Sequence, residues 1–239
     1  MCESFRETDP EFSAFFEDFA CQQAPRHCGL TEPVRFLVLL SALAACGGPE
    51  LYASTLNDAL DAGLTPVQAR EILYHTVPYA GYARVQPCFA AANQVFRARG
   101  VALPLPAQST TTPATRFEKG LAVQKQLFGA EQIETMRASA PADQKPIQDF
   151  LSANCFGDYY TRGGLDAQQR ELVTFAALAA MGGCEPQLTA HIRANLGAGN
   201  DRSVLMGAVT ALVPYIGYPR SLNAIRCITE VTPNEGETL

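Results

Sequence analysis

Three polar residues in the second half of the sequence have the types expected of a small catalytic cluster: Glu171, Cys184 and His191. A glutamate beside a histidine can orient the imidazole and hold its proton near neutral pH, as general acid–base catalysis requires. Cys184 stands at a predicted helix start, a position that favours a thiolate. The residue types therefore predict proton transfer, with thiol chemistry as an alternative.

Helix geometry predicts that Glu171 and His191 meet. A Gly-Gly pair at Gly182 ends the helix that carries Glu171, and the next helix begins directly afterwards. At 1.5 Å per residue, the rise from Glu171 to Gly182 is roughly 16 Å and the return from Cys184 to His191 is roughly 10 Å. In an antiparallel hairpin the two side chains then differ by about 6 Å in height. Cys184 lies two turns from His191, so direct contact between those two is not expected.

The elements that position these residues belong to an internal repeat. Residues 35–48, RFLVLLSALAACGG, align with residues 170–183, RELVTFAALAAMGG. Residues 77–84, VPYAGYAR, align with residues 213–220, VPYIGYPR, at a shift that differs by one residue. Repetition of this kind indicates two copies of one structural unit. The segment 100–115, rich in Pro, Thr and Ser and without helical periodicity, reads as the linker between them.

The predicted fold is all-α, with two tandem diverged repeats and no alternating strand pattern. We predict an N-terminal module over residues 1–99, a linker over 100–115 and a C-terminal module over 116–239. Helix start and stop signals place four helices in the second copy. These are about Ala167–Met181, a helix with Pro186 in its first turn, a helix opened by Asp201 and broken by Pro214 and Gly217, and about Pro219–Glu230.

The repeat also acts as an internal control for function. A residue needed only for the fold tends to recur in both copies, whereas a residue kept for chemistry need not. Glu171 corresponds to Phe36, His191 to Thr55 or Leu56, and Cys184 to Pro49 or the gap beside it. In the other direction, His75 of the first copy corresponds to Ala211. We therefore expect the catalytic residues in the second copy, and His75 is a candidate functional residue from the first copy.

Charge and composition narrow the class of ligand. A net charge of -6 and a pI near 5.1 disfavour nucleic acid and anionic lipid, which both require a concentrated basic surface. The apolar runs are near ten residues, against the ~20 needed to cross a bilayer. The acidic N-terminus does not resemble a signal peptide, and the eight cysteines lack the spacing of a secreted disulfide framework. We expect a cytoplasmic protein that binds a small molecule and no membrane.

A metal site is not predicted. Cys21, His27 and Cys28 have the residue types of zinc ligands, but no fourth ligand stands at a plausible spacing.

The sequence RELVTFAALAAMGGCEPQLTAHIRANLGAG, followed by LVPYIGYPRSLNAIR, resembles the core of the carboxymuconolactone decarboxylase family, and VRFLVLLSALAACGG with HTVPYAGYARV resembles a second, decayed copy. The resemblance implies the all-α fold shared with alkylhydroperoxidase D proteins. It also implies a homo-oligomer, by analogy a trimer of two-module chains.

The resemblance implies a function as well. The peroxidase branch of the family uses a C-x-x-C pair, whereas Cys184 is followed three residues later by Gln187. This departure favours cofactor-free decarboxylation or lactone processing of a small acidic metabolite. His191, oriented by Glu171, is then the candidate acid. Arg220, Tyr215 and His75 are candidate substrate-binding residues. The alternatives are a thiol-dependent peroxidase or disulfide reductase using Cys184, and a non-catalytic helical binding module.

Overall fold

The computed structural model describes residues 5–233, and within this range the chain forms helices and no β-strand. The all-α prediction is confirmed. The first copy contains α3 (Glu32–Cys46), α4 (Pro49–Asp61), α5 (Pro66–Ala80) and α6 (Tyr82–Ala98). The second copy contains α10 (Ala167–Met181), α11 (Glu185–Gly197), α12 (Arg202–Ile216) and α13 (Tyr218–Val231). The first three helices of the two copies match in length, at 15, 13 and 15 residues.

Further helices lie outside the two copies of the repeat. Before the first copy come α1 (Pro10–Glu17), a π-helical segment over Asp18–Gln23 and α2 (Ala24–Cys28). Between the copies lie α7 (Arg116–Phe128), α8 (Ala130–Ser139), α9 (Lys145–Phe150) and a second π-helical segment over Leu151–Tyr160. No helix in the described range is both long and apolar enough to span a membrane.

The chain divides into two compact units. One holds the described residues up to Pro104 together with those from Ala167 onward, so it contains the four repeat helices of both copies. The other, Leu105–Asp166, contains α7, α8, α9 and the second π-helical segment. In this second unit α7 approaches the π-helical segment closely, since a Cβ at Gly120 would meet the backbone oxygen of Ser152 at 2.0 Å. The division into modules over residues 1–99 and 116–239 with a linker between them, which we inferred from the repeat, stays a prediction.

The two copies meet through their first helices. Residues 36–45 of α3 and 170–180 of α10 are all buried, because both helices are apolar around most of their circumference. Ser41 of α3 donates a hydrogen bond of 2.7 Å to the backbone oxygen of Val173 in α10. These two helices form the centre of the unit, and the functional residues of α10 project from them towards α5 and α11.

Glycine ends the helices as predicted, whereas proline does not. Gly182 (φ 66°) and Gly183 (φ 71°) adopt the left-handed region directly after α10. The prediction that Pro214 breaks the third helix is wrong, because α12 continues through it to Ile216. Pro214 lacks the N–H that would bond to the backbone oxygen of Thr210, but the helix goes on for two more residues, and Gly217 at φ 78° is the residue that ends it.

Candidate active site

The predicted contact between Glu171 and His191 is present as a hydrogen bond. Nδ1 of His191 lies 2.9 Å from Oε2 of Glu171. Glu171 is fully buried in α10, and His191 on α11 is 8% exposed. Because a carboxylate only accepts, Nδ1 donates to Glu171, and exchange of a proton with a substrate would use Nε2. A buried carboxylate thus orients an imidazole at the edge of the protein surface.

Asn195 holds the two helices of this hairpin in register. It lies one turn beyond His191 and is fully buried. Its amide donates to the backbone oxygens of Glu171 at 3.0 Å and His191 at 2.8 Å. The amide of Asn200 donates in turn to Oδ1 of Asn195 at 2.8 Å. The sequence analysis missed this support, although a polar residue four positions after His191 on the same helix face is a signal for it.

A buried ion pair joins the copies beside the Glu171–His191 pair. Nη2 of Arg170 lies 3.3 Å from Oε2 of Glu71 on α5, and both side chains are 1% exposed. The sequence analysis named neither residue as a site residue. Arg170 recurs as Arg35 in the first copy, whereas Glu71 corresponds to Gly207 and is kept in one copy only. The internal control, applied to Glu71, would have identified it.

His75 is a buried neutral histidine. Its Nδ1 lies 3.4 Å from Nη1 of Arg170, and its Nε2 lies 3.1 Å from the hydroxyl of Thr174. Since a guanidinium only donates, Nδ1 is the acceptor and Nε2 carries the hydrogen. Burial, followed by the charges of Arg170 and His191, holds the pKa of His75 well below its usual value. His75 therefore lies in the cluster as a neutral imidazole, and its substrate-binding role stays a prediction.

Tyr79 lies between the two imidazoles. Its ring centroid is 5.7 Å from that of His75 and 5.4 Å from that of His191, with an edge-on angle of 85° to the latter. Its counterpart in the second copy, Tyr215, packs edge-on against Phe16 at 6.1 Å. The tyrosine beside the Glu171–His191 pair is thus Tyr79, and the substrate-binding role of Tyr215 stays a prediction.

Cys184 and Arg220 lie together near the far end of α10. The Cys184 thiol donates to the backbone oxygen of Leu178 at 3.4 Å, roughly 10 Å along α10 from Glu171. Both residues line a small cavity, where the Arg220 side chain is in van der Waals range of a Cβ built at Gly182. Burial, with lesser contributions from Glu185 and Cys227, raises the pKa of the Cys184 thiol. This direction is opposite to the one expected from the helix start, because burial disfavours the charged thiolate.

The structure does not assemble the residues considered for zinc. Cys21 and His27 are exposed, whereas Cys28 is buried and its thiol donates to the backbone oxygen of Pro25. Among residues 5–233, no group of three or more His, Cys, Asp or Glu side chains is placed to hold a metal ion.

Four polar members of the cluster have an apolar residue or glycine at the corresponding position of the other copy. Phe36 corresponds to Glu171, Leu39 to Thr174 and Ala211 to His75. At Gly207, the counterpart of Glu71, a Cβ would meet the backbone oxygen of Cys28 at 2.1 Å. Beside α12, helix α2 therefore occupies the space that corresponds to the one filled by the Glu71 side chain beside α5. The polar cluster is specific to the face between α5, α10 and α11.

The chain is similar to known proteins over most of its length. The sequence profile of the carboxymuconolactone decarboxylase family matches residues 10–94 and 145–230, well over half of the chain. A 4-carboxymuconolactone decarboxylase from Acinetobacter baylyi is 29% identical over 121 residues, covering 51% of this chain and 90% of that protein. A nitrosuccinic acid decarboxylase from Metarhizium robertsii is 27% identical over 119 residues, covering 50% of this chain and 82% of that protein.

The same fold is found in a solved structure described as a gamma-carboxymuconolactone decarboxylase subunit from Burkholderia xenovorans LB400. The TM-score is 0.53 at 20% identity, over 95% of this chain and 89% of that chain. The two separate profile matches coincide with the two copies of the repeat. With the repeat, the helical architecture and the profile in agreement, the chain belongs to the carboxymuconolactone decarboxylase family.

Proposed function

We propose that this protein catalyses the cofactor-free decarboxylation of a small carboxylated lactone or a similar acidic metabolite. The observation that carries the proposal is the buried Glu171 carboxylate at 2.9 Å from Nδ1 of His191. This pair presents an oriented imidazole at the edge of a helical hairpin. His191 is the proposed general acid, and Glu171 is the residue that orients it.

The proposed reaction needs one bond cleavage and one protonation. The bond between the ring carbon and the carboxylate breaks, and carbon dioxide leaves. The electron pair left behind is delocalised into the lactone as a dienolate. Nε2 of His191 then delivers a proton to a ring carbon, and His191 recovers its proton from solvent. Donors near the developing oxyanion lower the barrier further. By the family resemblance, Arg220 and Tyr215 stay candidates for holding a substrate oxygen.

The names of the two relatives support a wider substrate class. In carboxymuconolactone, the electron pair left by the departing carboxylate can be delocalised into the lactone. In nitrosuccinic acid, a carboxylate lies beside a nitro group, which can accept the electron pair in the same way. Loss of carbon dioxide from either compound gives an anion whose charge rests on oxygen and which must be protonated at carbon. An oriented acid such as His191 serves both reactions. The proposed class is therefore a small acid in which an electron sink lies next to the departing carboxylate.

The thiol-dependent alternative is not favoured by the surroundings of Cys184. Burial raises the pKa of this thiol, whereas the attacking species in peroxide or disulfide chemistry is the thiolate. Trimer formation and a cytoplasmic location stay predictions from the family resemblance and the sequence.

Substitution of the pair tests the proposal. His191→Ala should lower kcat for the best carboxylated lactone or nitro acid by about 10²–10⁴-fold, the range of general acid catalysis. Glu171→Gln should lower kcat less, because the amide can keep a hydrogen bond. The double variant should be little worse than His191→Ala, since two residues that act as one relay are strongly non-additive.

The assay is carbon dioxide release across a panel of carboxylated lactones and nitro dicarboxylates, with circular dichroism as the folding control. His27→Ala is the matched variant, because His27 is exposed and lies outside the cluster. Wild-type turnover by His191→Ala would remove His191 from the mechanism. If the wild-type protein releases no carbon dioxide from any compound of the panel, the decarboxylase proposal fails and a binding role gains support.

A further inference from the structure

A column of three side chains on α5 faces the active-site helices. Glu71, His75 and Tyr79 are spaced four residues apart, so they lie on one face of the helix. Glu71 pairs with Arg170, and His75 contacts Thr174. The column therefore runs along α10 and ends at Tyr79, beside His191 of α11.

The first two members of the column fix the position of the third. The Glu71–Arg170 ion pair and the His75–Thr174 hydrogen bond are both buried contacts between α5 and α10. They hold α5 against sliding or rotating, because its polar groups are matched to partners one turn apart. Tyr79 comes one turn after His75, so its ring is held between the imidazoles of His75 and His191.

The ring of Tyr79 restrains His191 in a direction that Glu171 does not. The hydrogen bond at Nδ1 sets the distance between the imidazole and Glu171, but it does not by itself oppose rotation of the ring about that bond. The edge-on contact at 5.4 Å and 85° opposes this movement. Position 79 recurs as Tyr215, but there the tyrosine packs against Phe16 and the cluster is absent. In the first copy the tyrosine at this position contacts the imidazole of His191.

We propose that Tyr79 is a positioning residue that holds the His191 imidazole for proton transfer, with Glu71 and His75 fixing α5 behind it. The first copy of the repeat thereby supplies part of the active site of the second. The expected effect of Tyr79 on turnover rests on the proposed decarboxylase function. The expected effect of Tyr79 on the orientation of the His191 imidazole does not.

Nuclear magnetic resonance tests the structural part without any substrate. The chain has three histidines, at positions 27, 75 and 191, so selective ¹⁵N-histidine labelling yields few signals. In the wild-type protein the Nδ1 proton of His191, bonded to Glu171, should exchange slowly with solvent. Tyr79→Leu should broaden or abolish this signal, and Tyr79→Phe should keep it, because the ring makes the contact. An unchanged His191 signal in Tyr79→Leu would overturn the proposal.

Kinetics test the catalytic part on the substrate found active in the panel. Tyr79→Leu should lower kcat by about 10–100-fold with little change in KM, the size expected when a reacting group is misplaced by about an ångström. Tyr79→Phe should restore near wild-type kcat. A loss in Tyr79→Phe as large as that in Tyr79→Leu would overturn the positioning role, because it would show that the hydroxyl itself acts.

Tyr74→Leu is the matched control. Tyr74 lies on the same helix, is half-buried like Tyr79, and packs against Phe89 at 5.6 Å on another face. It should leave both the His191 signal and kcat unchanged. An equal loss in Tyr74→Leu and Tyr79→Leu would show a general effect on α5 and refute the specific role of Tyr79. If no substrate is turned over, the proposed function fails while the His191 signal still decides the positioning.

Discussion

The buried ion pair between Glu71 and Arg170 should be a point of high sensitivity in the fold. Both side chains are 1% exposed, and their charged atoms lie 3.3 Å apart across two helices from different copies of the repeat. Glu71→Ala removes the carboxylate and leaves the guanidinium buried. Breaking a buried pair from one side costs about 3–5 kcal/mol, since the remaining charge has lost its partner and cannot regain water. Such a loss is a large fraction of the stability of an ordinary domain.

Removing both charges should cost much less than removing one. Glu71→Leu/Arg170→Met removes both charges of the pair, and apolar side chains of similar size fill the space. Replacement of a buried ion pair by well-packed apolar residues is often neutral. The double variant should therefore be more stable than Glu71→Ala, although each single change is destabilising. The two substitutions should therefore compensate each other in the free energy of unfolding, because the pair is buried.

Urea unfolding followed by far-UV circular dichroism measures these changes in the free energy of unfolding. Asp61→Asn is the matched control, because it removes the ion pair between Asp61, at the end of α4, and Arg99, directly after α6, which is more exposed to solvent. Exposed pairs contribute little, since water solvates the separated charges. Equal losses for Glu71→Ala and Asp61→Asn, or a double variant less stable than both singles, would refute the reasoning.

Two further predictions concern the packing and the titration of this unit. Gly207→Ala should destabilise the protein by about 1–3 kcal/mol, because its Cβ would meet the backbone oxygen of Cys28 at 2.1 Å. Gly197→Ala, a helical glycine with open space around it, should be neutral or stabilising in the same thermal unfolding assay. Because the pKa of His75 is lowered in the folded state, the unfolded chain binds the proton first, and stability should fall as the pH drops below about 6.5. The slope contributed by one proton is at most about 1.4 kcal/mol per pH unit, and His75→Gln should reduce it in urea unfolding at several pH values; an unchanged slope would contradict a neutral, buried His75.

The sequence by itself determined the repeat, most helix boundaries and the Glu171–His191 pair. Helix ends follow from local chemistry, because glycine at positive φ and prolines in first turns act within a few residues. The pairing was predictable because both residues belong to one helical hairpin, where a fixed rise per residue sets their relative height. The position of Cys184 at a helix start, by contrast, did not reveal the burial that raises the pKa of its thiol.

Only the tertiary structure decided which groups surround that pair. Glu71 and Tyr79 reach the second copy from a helix about a hundred residues earlier in the chain, and no local rule sets the register between α5 and α10. The burial of each side chain could not be predicted from the sequence either, although it determines the low pKa of His75 and the raised pKa of Cys184. Solvation depends on every element packed around a group, so the electrostatics of this site arise from the assembled helices rather than from any single segment.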